Sequence, residues 1–468
     1  MNPRKTPAPA AGQPLARVLA EHIVATPAQS LPALALERAQ MSLASTIASA
    51  AMGYGIESAR IVRELEIGDG GTPAATVWFD RARLPLAGAV RVNALASDAA
   101  ASDDSDLRSI AHIGTIVSTV GLAVGERQAA SGREVLAAMV LGYELAGRID
   151  EALTPGRMQR GFHGSVSTVF GACAAAGRLL RLDAERMTHA IALSATSIGG
   201  MAIAADTSCA REYHAGMAAS AGVRAALAAQ AGFRGEPGVL DLPRGFLHAL
   251  GGQALDEIAR GWGQSWDIVT DMAIKLMPGA HPFHATAEAA ADAARAGRVR
   301  PQDVERVVIT AAVQWTHFKG EPHPRNLVDA AHSLFYFVAA AIADGGFGWR
   351  HMDPARMADP VIAALQDRIE FDPAPPPLPD RFPHRHGGSV AIHLKDGTIH
   401  RGTCQAPRGS GPRGVHWQDV QDKFRQLFPL AGLPDDATAR CLDILRDFDR
   451  ADAVARLASC LAARQPPP

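Results

Sequence analysis

Apolar residues recur at intervals of three and four through most of the first 265 positions, the spacing of one face of an α-helix. Leu136, Met139, Val140, Tyr143 and Leu145 illustrate it, and Ser131-Gly-Arg-Glu134 just before them is a capping box. Ser220 to Ala231 reads as another helix, with Gly232 at its C-cap. Alanine fills so many of these positions that the helices must pack closely side by side. The pattern predicts an all-α domain from about residue 15 to 265.

The texture changes near Trp266. Val307 to Val313 is β-branched and reads as a strand. Ser389 to Lys395 alternates, with Val390, Ile392 and Leu394 on one face. Asp396-Gly397 predicts a type I′ turn, and Thr398 to Thr403 returns as the second hairpin strand. Ser333 to Ala343 is an apolar helix closed at Asp344-Gly345-Gly346, and Pro373 to Pro379 is a proline-rich connector. Helix periodicity resumes at Trp417 and continues from Pro434 to Ala463. The expected fold is therefore mainly α. A large all-α helical domain comprises residues 15–265 plus 415–463, and a smaller α+β lid domain, 268–412, is inserted in it. Residues 1–14 read as a disordered tail rather than a signal peptide, since no apolar core follows their basic residues.

Composition narrows the function. A chain of 468 residues exceeds one ordinary core. Forty-six basic against 48 acidic residues argue against a nucleic-acid or membrane-surface partner, whose footprint would be strongly basic. Five scattered cysteines (Cys173, Cys209, Cys404, Cys441, Cys460) read as free thiols in a reducing, cytoplasmic setting, and their spacing does not suit an iron–sulfur cluster. The longest uncharged run, Ala190 to Ala205, is too short and too broken for a membrane span and reads as a buried helix pair.

Two segments carry the candidate chemistry. Arg160-Gly161-Phe162-His163-Gly164-Ser165 runs into a helix, and Lys275-Leu276-Met277-Pro278 is followed by His281 and His284 at another helix start. Helix N-termini, cations and imidazoles together suit an anionic carboxylate substrate. No H-E-x-x-H, G-x-S-x-G, P-loop or G-x-G-x-x-G after a strand occurs, so zincin, hydrolase, kinase and Rossmann dehydrogenase readings lose their usual support. The sequence calls for no metal and no cofactor.

These segments, with His214-Ala215-Gly216, Arg244-Gly245-Phe246 and Ser333-Leu334-Phe335-Tyr336 before Asp344-Gly345, resemble the MmgE/PrpD family of 2-methylcitrate dehydratase, cis-aconitate decarboxylase and iminodisuccinate epimerase. Asn93 to Asp104 stands where the family reads roughly N-G-x-L-x-H-x-x-D-x-D-D-T. Asp103, Asp104 and Ser105 match its end, while Asp98 replaces the histidine and Ala101 the earlier aspartate. Arg211 stands where the family usually has lysine. The resemblance implies a homodimer and a cofactor-independent lyase. Dehydration of a small di- or tricarboxylate is the leading expectation. Isomerisation, epimerisation or decarboxylation is the alternative, and a non-catalytic carboxylate-binding protein the second.

Proton abstraction next to a carboxylate builds a dianion, so such a site concentrates positive charge and a group titrating near neutrality. The expected catalytic residues are His163, His112, Lys275 and Tyr336. Arg211, Asp104, Ser105, His214 and His284 are the expected substrate-binding or positioning residues. Ala101 and Arg211 together are expected to shift the pocket toward fixed positive charge. The histidines of His384-Arg385-His386 read as exposed loop.

Overall fold

Small residues set the spacing of the helices. The computed structural model describes residues 12–197, 199–253, 255–311, 313, 320–375, 386–410 and 413–462, and its fold is mainly α. Helices Gly132–Leu153 and Ser165–Leu179 cross where Gly142 faces Gly171; a Cβ on Gly142 would sit 2.7 Å from the Gly171 carbonyl oxygen. Ser165–Leu179 packs in turn on Ala210–Gln230, where a Cβ on Gly222 would meet the Ala172 methyl at 2.4 Å. Ala210–Gln230 then lies along Leu86–Ala99, and Ala33–Gly53 and Ile113–Gln128 complete the centre.

One hydrophobic cluster runs through these helices and also takes in Val420, Phe424, Cys441, Leu445, Val454 and Leu457 from the C-terminal helices Trp417–Leu427, Asp436–Arg446 and Ala453–Leu461. A second cluster draws on residues from Met277 to Cys404. Its sheet has the order Ile369–Phe371, Val304–Ala311, Gly388–Leu394, Ile399–Cys404; the first pair is parallel and the others antiparallel. Helix His281–Ala296 lies on the last two strands, and Leu334–Asp344 packs against that helix.

Local chemistry explains where elements start and stop. The Ser131 hydroxyl accepts from the Glu134 amide and the Glu134 carboxylate accepts from the Ser131 amide, so the capping box is formed. Gly345 closes Leu334–Asp344 at a φ of 67°. Three local expectations need correction. The hairpin turn is not type I′, because Gly397 (φ 87°) has positive φ and Asp396 does not. The Gly397 amide instead donates to the Leu394 carbonyl, and the Leu394 amide to the Thr398 carbonyl, a longer loop ending on a left-handed glycine. The helix assigned to 220–231 begins ten residues earlier, at Ala210, with Glu212 in its first turn. The run from Ala190 to Ala205 is not a buried pair: Ala184–Ser194 is buried inward, but Met201 and Ile203 are 47% and 60% exposed. Residues 1–11 and 376–379 lie outside the described residues. Among the described residues no helix is long and apolar enough to cross a membrane.

A two-stranded pairing links the clusters. Asp104–Asp106 runs antiparallel to Met272–Ile274, with Asp104 opposite Ile274 and Ser105 opposite Ala273. This register brings the acidic segment after Ala101 beside Lys275.

If close helix contact at glycine sets this packing, Gly222→Val should destabilise the protein by about 2 kcal/mol or more through overpacking. Urea denaturation would read this as a lowered midpoint; an unchanged midpoint would mean the helices can move apart freely.

Candidate active site

The site grows from two buried carboxylates. Asp98 sits in the last turn of Leu86–Ala99, Asp103 just before the strand pair, and His112 at the N-cap of Ile113–Gln128. His112 Nδ1 lies 2.6 Å from Asp98 and 2.8 Å from Asp103, so one ring nitrogen is shared by both acids. Arg211, in the first turn of its helix, donates from Nε to the Asp98 carboxylate (3.1 Å) and from Nη2 to the Asp98 carbonyl (2.6 Å). Lys275 Nζ lies 3.4 Å from Asp103, which also accepts from the Thr115 hydroxyl at 2.9 Å. Both carboxylates are essentially without solvent contact, where an unpaired charge would cost several kcal/mol.

Burial and charge then set the protonation states. Burial opposes ionisation of Asp98, but Arg211 and His112 outweigh it and hold the carboxyl well below the usual range. Asp103 is lowered in the same way, burial being overcome by His112 and Lys275. Burial works against the His112 imidazolium too, yet Asp103 and Asp98 raise it to about 9 despite Lys275. His163 goes the other way: burial, then the charge of His112, push it well below the ordinary histidine value. His281 is likewise pushed down, by burial and then by His284 and His386. His332 is pushed down to about 4, by burial and then by Arg211, so at neutral pH the cavity wall holds one charged imidazole and three neutral ones.

His112, His163, Arg211, Lys275, His281 and His332 line a cavity of about 40 Å³, together with backbone from Gly279 and Ala280. That volume admits roughly two or three water molecules. The His163 Nδ1 accepts from the Ser165 amide (3.3 Å) at the start of Ser165–Leu179 and lies 3.4 Å from Ser165 Oγ, which donates to the Gly199 carbonyl. His281 Nδ1 pairs with Ser105 Oγ at 2.5 Å, while its buried Nε2 has no hydrogen-bond partner among the described residues. An orphaned ring nitrogen facing a cationic cavity is available to a bound molecule.

The expected residues divide into three groups. His163, His112, Lys275 and Arg211 meet at the cavity. His214 and His284 stand behind it, with rings 5.6 Å from His163 and 4.7 Å from His281, and Ser105 orients His281. Asp104 and Tyr336 do not line the cavity. Asp104 accepts from Ser42 Oγ at 2.9 Å and presses against Gly114, where a Cβ would lie 1.7 Å from its Oδ2. Burial and then Asp103 raise it to about 6. Tyr336 donates its hydroxyl to the His351 carbonyl at 2.6 Å within the second cluster, so packing and a backbone acceptor account for it. The expectation of an exposed 384–386 loop fails at His386, which is buried with its ring 6.0 Å from His281; His384 and Arg385 lie outside the described residues.

Asp98, His281, His332 and Lys423 were not among the expected site residues. Asp98 has the plainest sequence signal, a carboxylate only three residues before Ala101, although it sits in the last turn of Leu86–Ala99 and Ala101 lies past the helix end at a φ of 51°. It corrects the expected drift toward fixed positive charge: Arg211 is matched by Asp98. Lys423 reaches in from Trp417–Leu427 to Ser45 Oγ (2.8 Å) and the Ser102 carbonyl, and burial brings it down to about 7. Asp98, Asp103 and His112 are also the one trio among the described residues whose donor atoms are close enough to hold a metal ion. Its carboxylates already accept from His112, Arg211 and Lys275, whose positive charge opposes a further cation.

Fold and site together describe a mainly helical protein with a small, cationic, imidazole-lined cavity. The MmgE/PrpD N-terminal domain model matches residues 17–258 and the MmgE/PrpD C-terminal domain model residues 277–444. The chain belongs to the MmgE/PrpD family. It is 25% identical over 447 residues to cis-aconitate decarboxylase of Homo sapiens, covering 92% of this chain and 91% of that protein. It is 27% identical over 305 residues to cis-aconitate decarboxylase of Mus musculus, covering 63% of this chain and 61% of that protein.

Tyr336→Phe should cost about 1 kcal/mol of stability by stranding the His351 carbonyl, and leave turnover within about twofold. A large fall in kcat at unchanged Tm would instead return the hydroxyl to the chemistry.

Proposed function

We propose that the protein is a lyase acting on a small polycarboxylate, by proton transfer at the carbon next to a carboxylate, without metal or organic cofactor. The observation that carries this reading is His112, held as an imidazolium between two buried carboxylates, beside Arg211 and Lys275. The guanidinium and ammonium bind substrate carboxylates. His112, with Nδ1 engaged by Asp98 and Asp103, offers Nε2–H as the acid. His163 accepts at Nδ1 from Ser165, so its neutral ring offers Nε2–H as a second donor.

Donors and positive charge without an obligatory base suit decarboxylation of an unsaturated tricarboxylate. The C–C bond breaks, CO₂ leaves, and the electron pair left behind is delocalised toward a carboxylate that Arg211 and Lys275 hold. It is then quenched by a proton from His112, which regains one from solvent. The names of the human and mouse relatives support this over the dehydration expected from sequence. Dehydration remains the second reading because His281 has an unpartnered Nε2 that can take a proton from carbon while His112 protonates the leaving hydroxide.

Incubation with cis-aconitate, citrate and 2-methylcitrate, followed by NMR, separates the two. CO₂ release from cis-aconitate supports the first, loss of water from a hydroxy acid the second, and no turnover of any carboxylate would sink both. His163→Ala should lower kcat by about 10²-fold. Lys275→Ala should chiefly raise KM if the ammonium binds substrate in the ground state.

The acid role carries a pH signature. Since His112 loses its proton only near pH 9, the rate should fall as pH rises through that value. Asp98→Asn removes one charge that raises this pKa, so the alkaline limb should move to lower pH; a limb that stays put would exclude His112 as the acid.

A cavity of about 40 Å³ is too small for a tricarboxylate, so its wall, to which Ala205 and Gly279–His281 both contribute, must open to admit one. We assign the 268–412 segment the role of a lid on that ground. A homodimer belongs to the same proposal. Helices Glu57–Asp69 and Ala210–Gln230 are joined by Ser58 Oγ to Glu212 (2.9 Å) and leave Ile61, Leu65, Tyr213 and Met217 exposed, an apolar face that a second copy would cover. Light scattering should return twice the chain mass.

A further inference from the structure

Away from the cavity, two cysteines face each other. Cys441 lies in Asp436–Arg446 and Cys460 in Ala453–Leu461, helices that pack together. Their sulfur atoms are 2.8 Å apart, closer than two non-bonded sulfurs ordinarily approach. Cys441 is buried and Cys460 half-buried, at the wall of a surface cavity of about 640 Å³ that also presents Arg440, Asp443, Arg456 and Ser459. The other cysteines have no such neighbour: Cys173 and Cys404 are buried elsewhere and Cys209 is exposed and alone. The Cys441 thiol donates to Cys460, and with Arg440 it favours the Cys460 thiolate against the cost of burial. The more exposed sulfur is thus the better nucleophile, and the buried one stands behind it to resolve a mixed disulfide.

We propose that Cys441 and Cys460 form a reversible intramolecular disulfide, making this helix pair a redox-sensitive modification site. The oxidant is a low-molecular-weight disulfide, RSSR. The Cys460 thiolate attacks one sulfur and RS⁻ leaves; Cys441, as its proton departs, attacks Cys460 and expels the second RS⁻. Two protein thiols are oxidised and one RSSR is reduced to two RSH. Arg440 and Arg456 on the cavity wall, paired with Asp436 (3.1 Å) and Asp452 (3.6 Å), can exchange those exposed partners for the carboxylates of a reagent such as glutathione disulfide. The bond would close the chain across a separation of 19 residues. It would also fasten Ala453–Leu461, whose Val454 packs near Gly125 of the helix that carries His112 at its N-cap, onto Asp436–Arg446.

The full chain carrying Cys209→Ser, which removes the exposed competitor, is incubated with glutathione disulfide and digested without reduction. Mass spectrometry should find the Cys441 and Cys460 peptides joined and lighter by two hydrogens, with two of the four remaining thiols lost and the chain still unlinked to a second one. Thermal denaturation should show Tm raised by a few degrees and restored by dithiothreitol. Adding Cys441→Ser should instead leave glutathione attached to Cys460, since nothing resolves it. Both thiols remaining free, or a stable glutathione adduct on Cys460 while Cys441 is intact, would overturn the proposal.

Discussion

Everything near the cavity depends on how Asp98 and Asp103 are kept ionised out of contact with water. Moving a carboxylate into the interior costs several kcal/mol unless cations and donors reach it. Here the compensation comes from distant segments: His112 from the chain's own return, Arg211 from the helix that starts at Ala210, Lys275 from beyond the strand pair. Removing one partner leaves a buried charge uncompensated, so the site acts as one unit. The acids are also what hold His112 charged while His163 and His281, buried without a carboxylate of their own, stay neutral. Three imidazoles of one chemical type are thereby given different protonation states by their surroundings.

That requirement explains features of the scaffold which packing alone does not. Asp104–Asp106 pairs with Met272–Ile274 over only three residues, yet this pairing sets Lys275 against Asp103. Gly114 has no side chain because the Asp104 carboxylate occupies the space. The C-terminal helices contribute more than apolar surface. Lys423 donates to the Ser102 carbonyl just before the acidic segment, and burial lowers its pKa against the pull of Asp103 and Asp104.

The fold was legible wherever one period dominated. Alanine-rich runs with three-and-four spacing became helices, the capping box at Ser131 formed, and the Val390–Ile392 alternation became a strand. Errors came where tertiary contacts decide. Asp396-Gly397 is a common I′ signal, but only Gly397 takes positive φ. Polar residues in the first turn masked the start of the helix at Ala210 because Arg211 and Glu212 are buried by partners from other elements, Asp98 and Ser58. Met201 and Ile203 show the reverse: apolar residues left on the surface of a monomer.

The site was legible in its cations and two of its imidazoles, because these stand beside helix starts in short recognisable segments. Tyr336 lies away from the cavity because a buried tyrosine hydroxyl needs a partner, and sequence cannot show that a backbone carbonyl supplies it. Asp98 teaches more. The resemblance led to an expected aspartate where Ala101 stands, and the carboxylate that meets the imidazole is at Asp98. Asp98, in the last turn of its helix, reaches the His112 imidazole and is supported from behind by Arg211, with two bonds to one residue. A lysine has no planar fork with which to hold the side chain and the carbonyl of Asp98 together. Asp98 and Arg211 therefore act as one pair: the buried acid requires the guanidinium, and the guanidinium, once neutralised by that acid, adds no net charge. Lys275 and His112 against Asp103 then leave a single uncompensated positive charge facing the cavity, which is the electrostatic demand that an anionic ligand would meet.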